Sequence, residues 1–243
     1  MKRNYIEFDF YSSLTDFEKS FLDYHYLRLE SLLSQVTQFA IPNSKILNIG
    51  LSVFDLMVLH KFRNRKDFDY KVAIPQLGFG KSDIYRDIEL VQINLCSSSQ
   101  NNDRVALDYI NYFDLVIFSG VLEHLFCDDG IVLKNISKVL RKSGTLILTV
   151  PNACSFVNRI KILTGKNIHW SKSDILGGTE FGGYGHIREY TKTELETLGN
   201  EYFDVLKFVP VNDYRLRGIN FSHLNHIIPV SYSIDIEVIY RKR

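Results

Sequence analysis

Residues 113–124, FDLVIFSGVLEH, decide the fold class of this chain. The first six of these residues are nearly all apolar, which is typical of a strand that helices cover on both faces of a parallel sheet. Gly120 follows, where the backbone has room to turn, and two titratable side chains, Glu123 and His124, come soon after it. We therefore expect a central buried strand that ends in a turn carrying chemically active groups.

Strand and helix patterns alternate on either side of this stretch. Apolar runs typical of strands occupy 45–50, 70–74, 88–95, 145–150, 203–211 and 231–240, and apolar residues at helical spacing occupy 15–42, 53–62, 155–163 and 191–198. A further helix is expected to pass through Val132 and to end at 142–144, because Gly144 suits a left-handed helix cap. This alternation predicts an α/β fold with a doubly wound, mostly parallel seven-stranded sheet and helices on both faces.

The length and composition are those of one globular unit. With 243 residues, 45% of them hydrophobic, the chain can bury a single large core. We expect one domain over 1–243, with an N-terminal helical segment at 1–42 and an insertion or lid at 153–190 that includes the glycine-rich stretch 177–185.

Charge, hydropathy and cysteine spacing exclude several classes of protein. The formal net charge is +1, so the sequence gives no reason to expect a nucleic-acid partner. No apolar run approaches the roughly 20 residues that a membrane span needs, and we expect no integral membrane segment. Cys96, Cys127 and Cys154 lie far apart with no Cys-x-x-Cys pair, which indicates neither a disulfide framework nor a metal site and favours the cytoplasm.

Polar side chains follow three of the expected strands. They lie in the segments 48–52, 92–94 and 119–124. Ligands of open parallel sheets bind beyond the carboxyl ends of the strands. These segments are therefore expected to line one pocket.

Two blocks of sequence resemble a known family. Residues 113–125 together with 139–152 resemble the central part of a class I S-adenosylmethionine-dependent methyltransferase. Residues 185–191, GHIREYT, are similar to a segment of the small-molecule methyltransferases of that family, and residues 156–166 resemble an insertion of members associated with glycan and cell-envelope biosynthesis. The resemblance implies the Rossmann-like methyltransferase fold and S-adenosylmethionine as cofactor.

The first half of the chain departs from the family pattern. Where the family has an acidic residue and a Gly-x-Gly-x-Gly loop after the first strand, this chain has Asn48, Gly50, Ser52 and Phe54, and we expect Phe54 to crowd the turn. No acid that could bind the ribose stands near Ile74. The resemblance nevertheless implies six residues that contact the cofactor: Asn48, Gly50, Ser52, Asn94, Ser119 and Gly120. For Gly50 with Asn48, an ordinary strand-to-helix turn is an equal alternative.

Three side chains are candidates for catalysis. A sulfonium methyl group is already activated, so the enzyme must align an acceptor and remove its proton. His124 or His186 suits that proton transfer, with Glu123 beside the site. The alternatives are a structural carboxylate and histidine after the strand, and a surface ion pair of His186 with Arg188 and Glu189. His169 and Trp170 either stack on a sugar or form an exposed loop pair.

These expectations lead to one function with one rival. The first is O-methylation of a small-molecule or glycan acceptor in cell-envelope or polysaccharide biosynthesis, by a chain that acts alone, as a homo-oligomer or with a glycan-modifying enzyme. The rival is a catalytically silent methyltransferase-like domain that serves as a binding or assembly partner, which the altered first half favours. A dehydrogenase-like nucleotide-binding domain is disfavoured, because no Gly-x-Gly-x-x-Gly follows the first strand.

Overall fold

A computed structural model of the chain describes residues 8–65, 67–74, 83–97, 107–177, 185–212, 215–216, 219–220 and 227–243. The helices in these ranges are α1 (Phe8–Ser13), α2 (Asp16–Phe39), α3 (Val53–Phe62), α4 (Asp129–Val139), α5 (Phe156–Leu163), α6 (Lys172–Gly177) and α7 (Lys192–Leu198). The strands are β1 (Lys45–Ile49), β2 (Asp69–Ala73), β3 (Glu89–Val91), β4 (Phe113–Ser119), β5 (Leu140–Pro151), β6 (Phe203–Val211), β7 (Arg215–Leu216), β8 (Ile219–Asn220) and β9 (Asp235–Lys242).

One sheet organises the described part of the chain. Its seven strands lie in the order β3-β2-β1-β4-β5-β9-β6. The first five in this order pair in parallel, and β9 is antiparallel to both β5 and β6. β7 and β8 form a separate two-stranded sheet. The predicted doubly wound, mostly parallel seven-stranded sheet is confirmed.

Strand β4 is central because both of its faces are covered. Leu115 and Ile117 belong to the hydrophobic layer shared with α2 and α3, whereas Val116 and Phe118 belong to the layer shared with α4 and α7. All four side chains are fully buried. The unbroken apolar run in the sequence thus corresponds to a strand with helices on both faces.

Side-chain caps set where helices begin. Thr15 accepts a hydrogen bond from the Glu18 amide at 3.4 Å and starts α2. Ser52 forms a capping box with Asp55 at the start of α3, and Thr191 forms one with Glu194 at the start of α7. These helices begin within a residue of the predicted positions.

The predicted end of the fourth helix was wrong. α4 ends at Val139, and Leu140 already pairs with Phe113 at the edge of β5. Ser143, with φ +61°, takes the left-handed conformation that was assigned to Gly144. A Cβ at Gly144 would lie 2.8 Å from the Arg141 carbonyl oxygen, so glycine is required there for space.

Two strands of the sheet are shorter than predicted. β3 covers Glu89–Val91 instead of 88–95, because β2 ends at Ala73 and offers it no further partners. β9 starts at Asp235, since Val230–Tyr232 forms a single turn of 3₁₀ helix before it.

The expectation of no disulfide was also wrong. The Cys96 and Cys127 sulfurs are bonded, with Cα atoms 5.5 Å apart. The bond joins the loop after β3 to the segment just before α4. Sequence separation concealed this pair, because the two loops meet only when the sheet has formed.

Phe54 does not crowd the turn after β1. Its side chain is 2% exposed and packs in the layer between the sheet and α2 and α3. Residues 178–184, which belong to the predicted lid, lie outside the described residues. None of the helices in the described ranges combines the length and apolar character that crossing a membrane requires.

Candidate active site

The candidate site lies beyond the carboxyl ends of β1, β4 and β5. In a doubly wound sheet this edge holds the ligand, because the crossovers open a crevice there. β1 ends at Ile49 and β4 ends at Ser119, and each strand is followed by a glycine with positive φ, Gly50 at +104° and Gly120 at +66°.

The turn after β1 is held by its own hydrogen bonds. A Cβ at Gly50 would lie 2.8 Å from Val121 Cγ2, so the turn after β4 packs directly against this glycine. The Asn48 amide donates to the Gly50 carbonyl oxygen and to Asp55 Oδ1, both at 2.7 Å. Ser52 donates its backbone N–H to Asp55 Oδ2 at 2.8 Å and caps α3. The Asn48 side chain therefore supports the turn from within, and only the backbone of Gly50 faces the strand end.

Asp55 is the buried acid of this network. It is fully buried and also accepts a hydrogen bond from the Tyr70 hydroxyl at 2.7 Å. Burial raises the pKa of its carboxyl from 3.8 to about 6, although three hydrogen bonds from Ser52, Tyr70 and Asn48 oppose the rise. Sequence reasoning missed Asp55, whose position three residues after Ser52 was the signal for a capping box.

An arginine from α2 reaches the turn after β4. A Cβ at Gly120 would lie 3.1 Å from Arg28 Nη1, so the guanidinium rests against this glycine. The Arg28 Nε is buried and has no hydrogen-bond partner within the described ranges. Sequence reasoning missed Arg28, since nothing in a helical pattern tells which strand end the helix crosses.

Asn94 lies on the far side of the crevice, in the loop after β3. Its side chain is exposed, and its Oδ1 accepts a hydrogen bond from the Cys96 amide at 3.1 Å. Ser119 is half-buried at the end of β4. The structure thus places all six predicted cofactor residues along one edge of the sheet. The side chains of Asn48 and Asn94, however, form hydrogen bonds with groups close to them in the chain.

Glu123, His124 and His186 form a cluster next to this edge. Glu123 is 2% exposed, and its carbonyl oxygen accepts a hydrogen bond from the Ile187 amide at 2.8 Å. This bond fastens 185–188 to the turn after β4 and brings His186 to the first two residues. Burial raises the pKa of the Glu123 carboxyl from 4.5 to about 7, and the nearby His186 and Arg28 oppose the rise.

The two histidine rings have defined neighbours. His124 Nδ1 lies 3.3 Å from the Gly185 carbonyl oxygen, and its Nε2 lies 3.9 Å from Glu123 Oε1. A carbonyl oxygen only accepts, so this contact assigns the proton to Nδ1 and leaves the Nε2 lone pair toward Glu123. The centroids of the His124 and His186 rings lie 5.0 Å apart, edge to face.

Trp170 and Glu189 complete the surroundings of His186. The Trp170 ring centroid lies 4.9 Å from that of His186, and the indole remains 38% exposed. His186 Nδ1 lies 3.6 Å from Glu189 Oε1, and Glu189 Oε2 accepts from the Asn158 amide at 2.9 Å. His169 is exposed beside Trp170. His186 therefore lies between the Glu189 carboxylate and the Trp170 indole.

Arg188 points away from the cluster. It pairs with Asp129 at 3.1 Å and with Glu194 at 2.7 Å, on the side of α4 and α7. Two surface clefts on that side are lined by these charged groups and Tyr190. Because their charges already pair with one another, we place the site at the strand ends.

Comparison with known proteins supports this architecture. No protein-family model matches the chain, and no curated protein matches its sequence. Among solved structures, a Thermotoga maritima methyltransferase described as a possible histamine N-methyltransferase is similar with a TM-score of 0.59 at 15% identity, over 97% of this chain and 99% of that one.

Two further structures hold ligands. The N-methyltransferase NodS from Bradyrhizobium japonicum, in complex with S-adenosylhomocysteine, has a TM-score of 0.54 at 12% identity and covers 96% of both chains. The 1,6-didemethyltoxoflavin-N1-methyltransferase from Burkholderia thailandensis, with its substrate and S-adenosylhomocysteine, has a TM-score of 0.54 at 16% identity, over 96% of this chain and 85% of that one. The chain has the α/β fold of the class I S-adenosylmethionine-dependent methyltransferases.

Proposed function

We propose that this chain transfers the methyl group of S-adenosylmethionine to a hydroxyl oxygen of a small molecule or glycan, in cell-envelope or polysaccharide biosynthesis. The observation that carries the proposal is the Glu123–His124–His186 cluster at the carboxyl end of β4. In this fold the cluster adjoins the crevice where a ligand would lie. The resemblance of residues 156–166 to a glycan-type insertion supports the acceptor class.

The described residues fit the amino-acid end of the cofactor. Gly50 and Gly120 hold positive φ at two neighbouring strand ends, where the Val121 and Arg28 side chains approach too closely for a Cβ atom. Arg28 places a guanidinium against Gly120, and its buried Nε has no hydrogen-bond partner within the described ranges. A guanidinium in this place suits a carboxylate, which it can bind through charge-assisted hydrogen bonds.

The ribose end has fewer polar groups. Ala73 and Ile74, at the end of β2, carry no carboxylate for the ribose hydroxyls, and Asn94 offers an amide in place of an acid. Loss of a charge-assisted hydrogen bond costs on the order of 1 kcal/mol or more. We therefore propose that the carboxylate contact with Arg28 supplies a large share of the affinity for the cofactor.

The cluster acts on the acceptor. S-adenosylmethionine supplies a methyl group on a positively charged sulfur, which an oxygen attacks in line. Glu123, His124 and His186 would hold the acceptor hydroxyl, and His124 or His186 would take its proton as the oxygen attacks. The half-exposed Trp170 beside His186 offers an apolar face to a sugar ring.

The proposal predicts activity that depends on His124. Purified protein is incubated with S-adenosylmethionine and a panel of sugars, nucleotide sugars, phenols and amines, and formation of S-adenosylhomocysteine is measured. Replacement of the cluster imidazole in His124→Gln should lower kcat about 100-fold or more for the accepted substrate. The control His60→Gln changes a histidine near the end of α3 whose ring packs against Phe10, and it should leave kcat unchanged.

Three results would count against this function. If only amines are methylated, the acceptor class is wrong, whereas equal activity of His124→Gln and wild type would remove the cluster from the reaction. If no member of the panel is methylated and the cofactor does not bind, the chain is better described as a silent domain that assembles with itself or with a glycan-modifying enzyme.

A further inference from the structure

The Glu123–His124–His186 cluster has the donor set of a metal site. Each of the three residues offers one ligand atom, and these atoms all lie within 4.8 Å of one another. Zinc–ligand distances of about 2.0–2.1 Å place neighbouring ligand atoms roughly 3.4 Å apart around an ion. Binding an ion would therefore require the ligand atoms to move closer together than they lie in this structure.

The carboxyl group of Glu123 supplies a second, independent observation. Glu123 is 2% exposed, and its Oε2 is buried with no hydrogen-bond partner among the residues that the structure describes. A buried polar atom without a partner costs roughly 1–3 kcal/mol. A cation bound by this carboxyl group and the two histidines of the cluster would account for the unpartnered atom.

Each histidine has one nitrogen near an oxygen of a neighbouring group, as metal-binding histidines usually do. His124 Nδ1 contacts the Gly185 carbonyl oxygen at 3.3 Å, which turns Nε2 toward Glu123. His186 Nδ1 lies 3.6 Å from the Glu189 carboxylate and makes no hydrogen bond among the described residues, and the Asn158 amide holds that carboxylate at 2.9 Å.

We propose that Glu123, His124 and His186 bind one divalent transition-metal ion, with Zn²⁺ as the first candidate. Two imidazoles and one carboxylate form the ligand set of zinc sites that keep a position open for substrate or water. Mg²⁺ is disfavoured, because it prefers oxygen ligands throughout. The sequence predicted no metal, since the two parts of the cluster are far apart in the chain: His124 and Gly185, the residue before His186, are separated by 61 positions.

The metal would change how the acceptor is activated. An ion with an open position would hold the acceptor oxygen and lower the pKa of its hydroxyl. The proton would then pass to water, and His124 and His186 would serve as ligands in place of a base. This consequence rests on the proposed methyl transfer, whereas the metal site itself does not.

Trp170 provides a local probe of the site. It is the only tryptophan of the chain, and its ring lies 4.9 Å from that of His186. Tag-free protein is stripped with a chelator and titrated with Co²⁺, a paramagnetic ion that quenches nearby tryptophan and absorbs visible light in nitrogen and oxygen sites. We expect saturation at one equivalent, and recovery of fluorescence when Zn²⁺ displaces Co²⁺.

Matched variants locate the binding. Glu123→Gln keeps the shape of a buried neutral carboxyl and removes the metal ligand, and His186→Gln removes an imidazole. Each should weaken Co²⁺ binding at least tenfold, whereas His169→Gln, beside Trp170 but outside the cluster, should bind as wild type does. Circular dichroism spectra confirm that each variant is folded.

The inference is overturned if Co²⁺ causes no saturable change, or if both cluster variants bind it as tightly as wild type. Titration with S-adenosylhomocysteine is measured on the same metal-free samples. If the cofactor binds and the metal does not, only the metal site is contradicted. If the metal binds and the cofactor does not, only the proposed methyl transfer is contradicted.

Discussion

Buried carboxyl groups make the free energy of unfolding of this chain depend on pH. Glu237 lies in the middle of β9 and is fully buried, and its Oε2 accepts a hydrogen bond from the Thr149 hydroxyl at 3.4 Å. Burial raises the pKa of its carboxyl from 4.5 to about 8. The folded chain therefore holds this proton over a range where the unfolded chain releases it, and the free energy of unfolding falls as pH rises between those two values.

Glu237→Gln isolates this effect. The amide stays neutral at every pH, so the variant should not lose the roughly 1.4 kcal/mol per pH unit that this one group costs the wild type across the window. Urea unfolding from pH 5 to pH 8 measures how the free energy of unfolding changes with pH in the variant and in the wild type. Asp55 and Glu123 contribute equally in both proteins, so the difference between the two slopes belongs to Glu237. The exposed Glu201→Gln serves as control and should follow the wild type. Parallel curves for Glu237→Gln and wild type would contradict the assignment.

At the residue scale, functional side chains that lie on a single turn could be predicted from the sequence. Contacts between side chains of two distant elements could not. Glu123 and His124 follow a buried strand directly, and His186 was found through a similar segment of related proteins. Arg28 reaches Gly120 only because α2 crosses the end of β4. No local pattern carries that information, because the contact depends on how the helix packs on the sheet.

At the scale of elements, the disulfide ties the two sides of the crevice together. Cys96 follows β3 and Cys127 precedes α4, at a sequence separation of 31. A crosslink that closes a loop of this length stabilises a protein by about 3 kcal/mol, mainly by restricting the unfolded chain.

Removing this link should be costly. Cys96→Ser is expected to lower the free energy of unfolding by about 3 kcal/mol under oxidising conditions, as measured by urea unfolding. Dithiothreitol should produce a similar loss in the wild type and none in the variant. Cys154→Ser, which changes the free cysteine, is the control. A wild type whose stability is indifferent to dithiothreitol would contradict the structure of this loop.

Cytoplasmic localisation stays a prediction, but the cysteine spacing no longer supports it.

Element boundaries were predictable where local chemistry sets them. Thr15, Ser52 and Thr191 cap their helices as the sequence indicates. The end of α4 was not predictable in the same way, because Leu140 leaves the helix to pair with Phe113 on the neighbouring strand. Tertiary pairing there outweighs the preference of Gly144 for a helix cap.

At the scale of the whole molecule, the sheet order brings the ends of β1, β4 and β5 to one edge, with α2 crossing it. The alternation of strands and helices was enough to predict that architecture, since few topologies satisfy it. The identity of the ligand depends on side chains from distant parts of the chain, and it has to be tested by binding.

Calorimetric titration of the wild-type protein with S-adenosylhomocysteine tests the central claim most directly. The account predicts one site with a dissociation constant on the order of micromolar, weakened at least tenfold in Arg28→Gln and unchanged in the control Arg63→Gln, whose arginine lies at the end of α3. Absence of binding at millimolar ligand, or equal binding by Arg28→Gln, would contradict the proposed cofactor site.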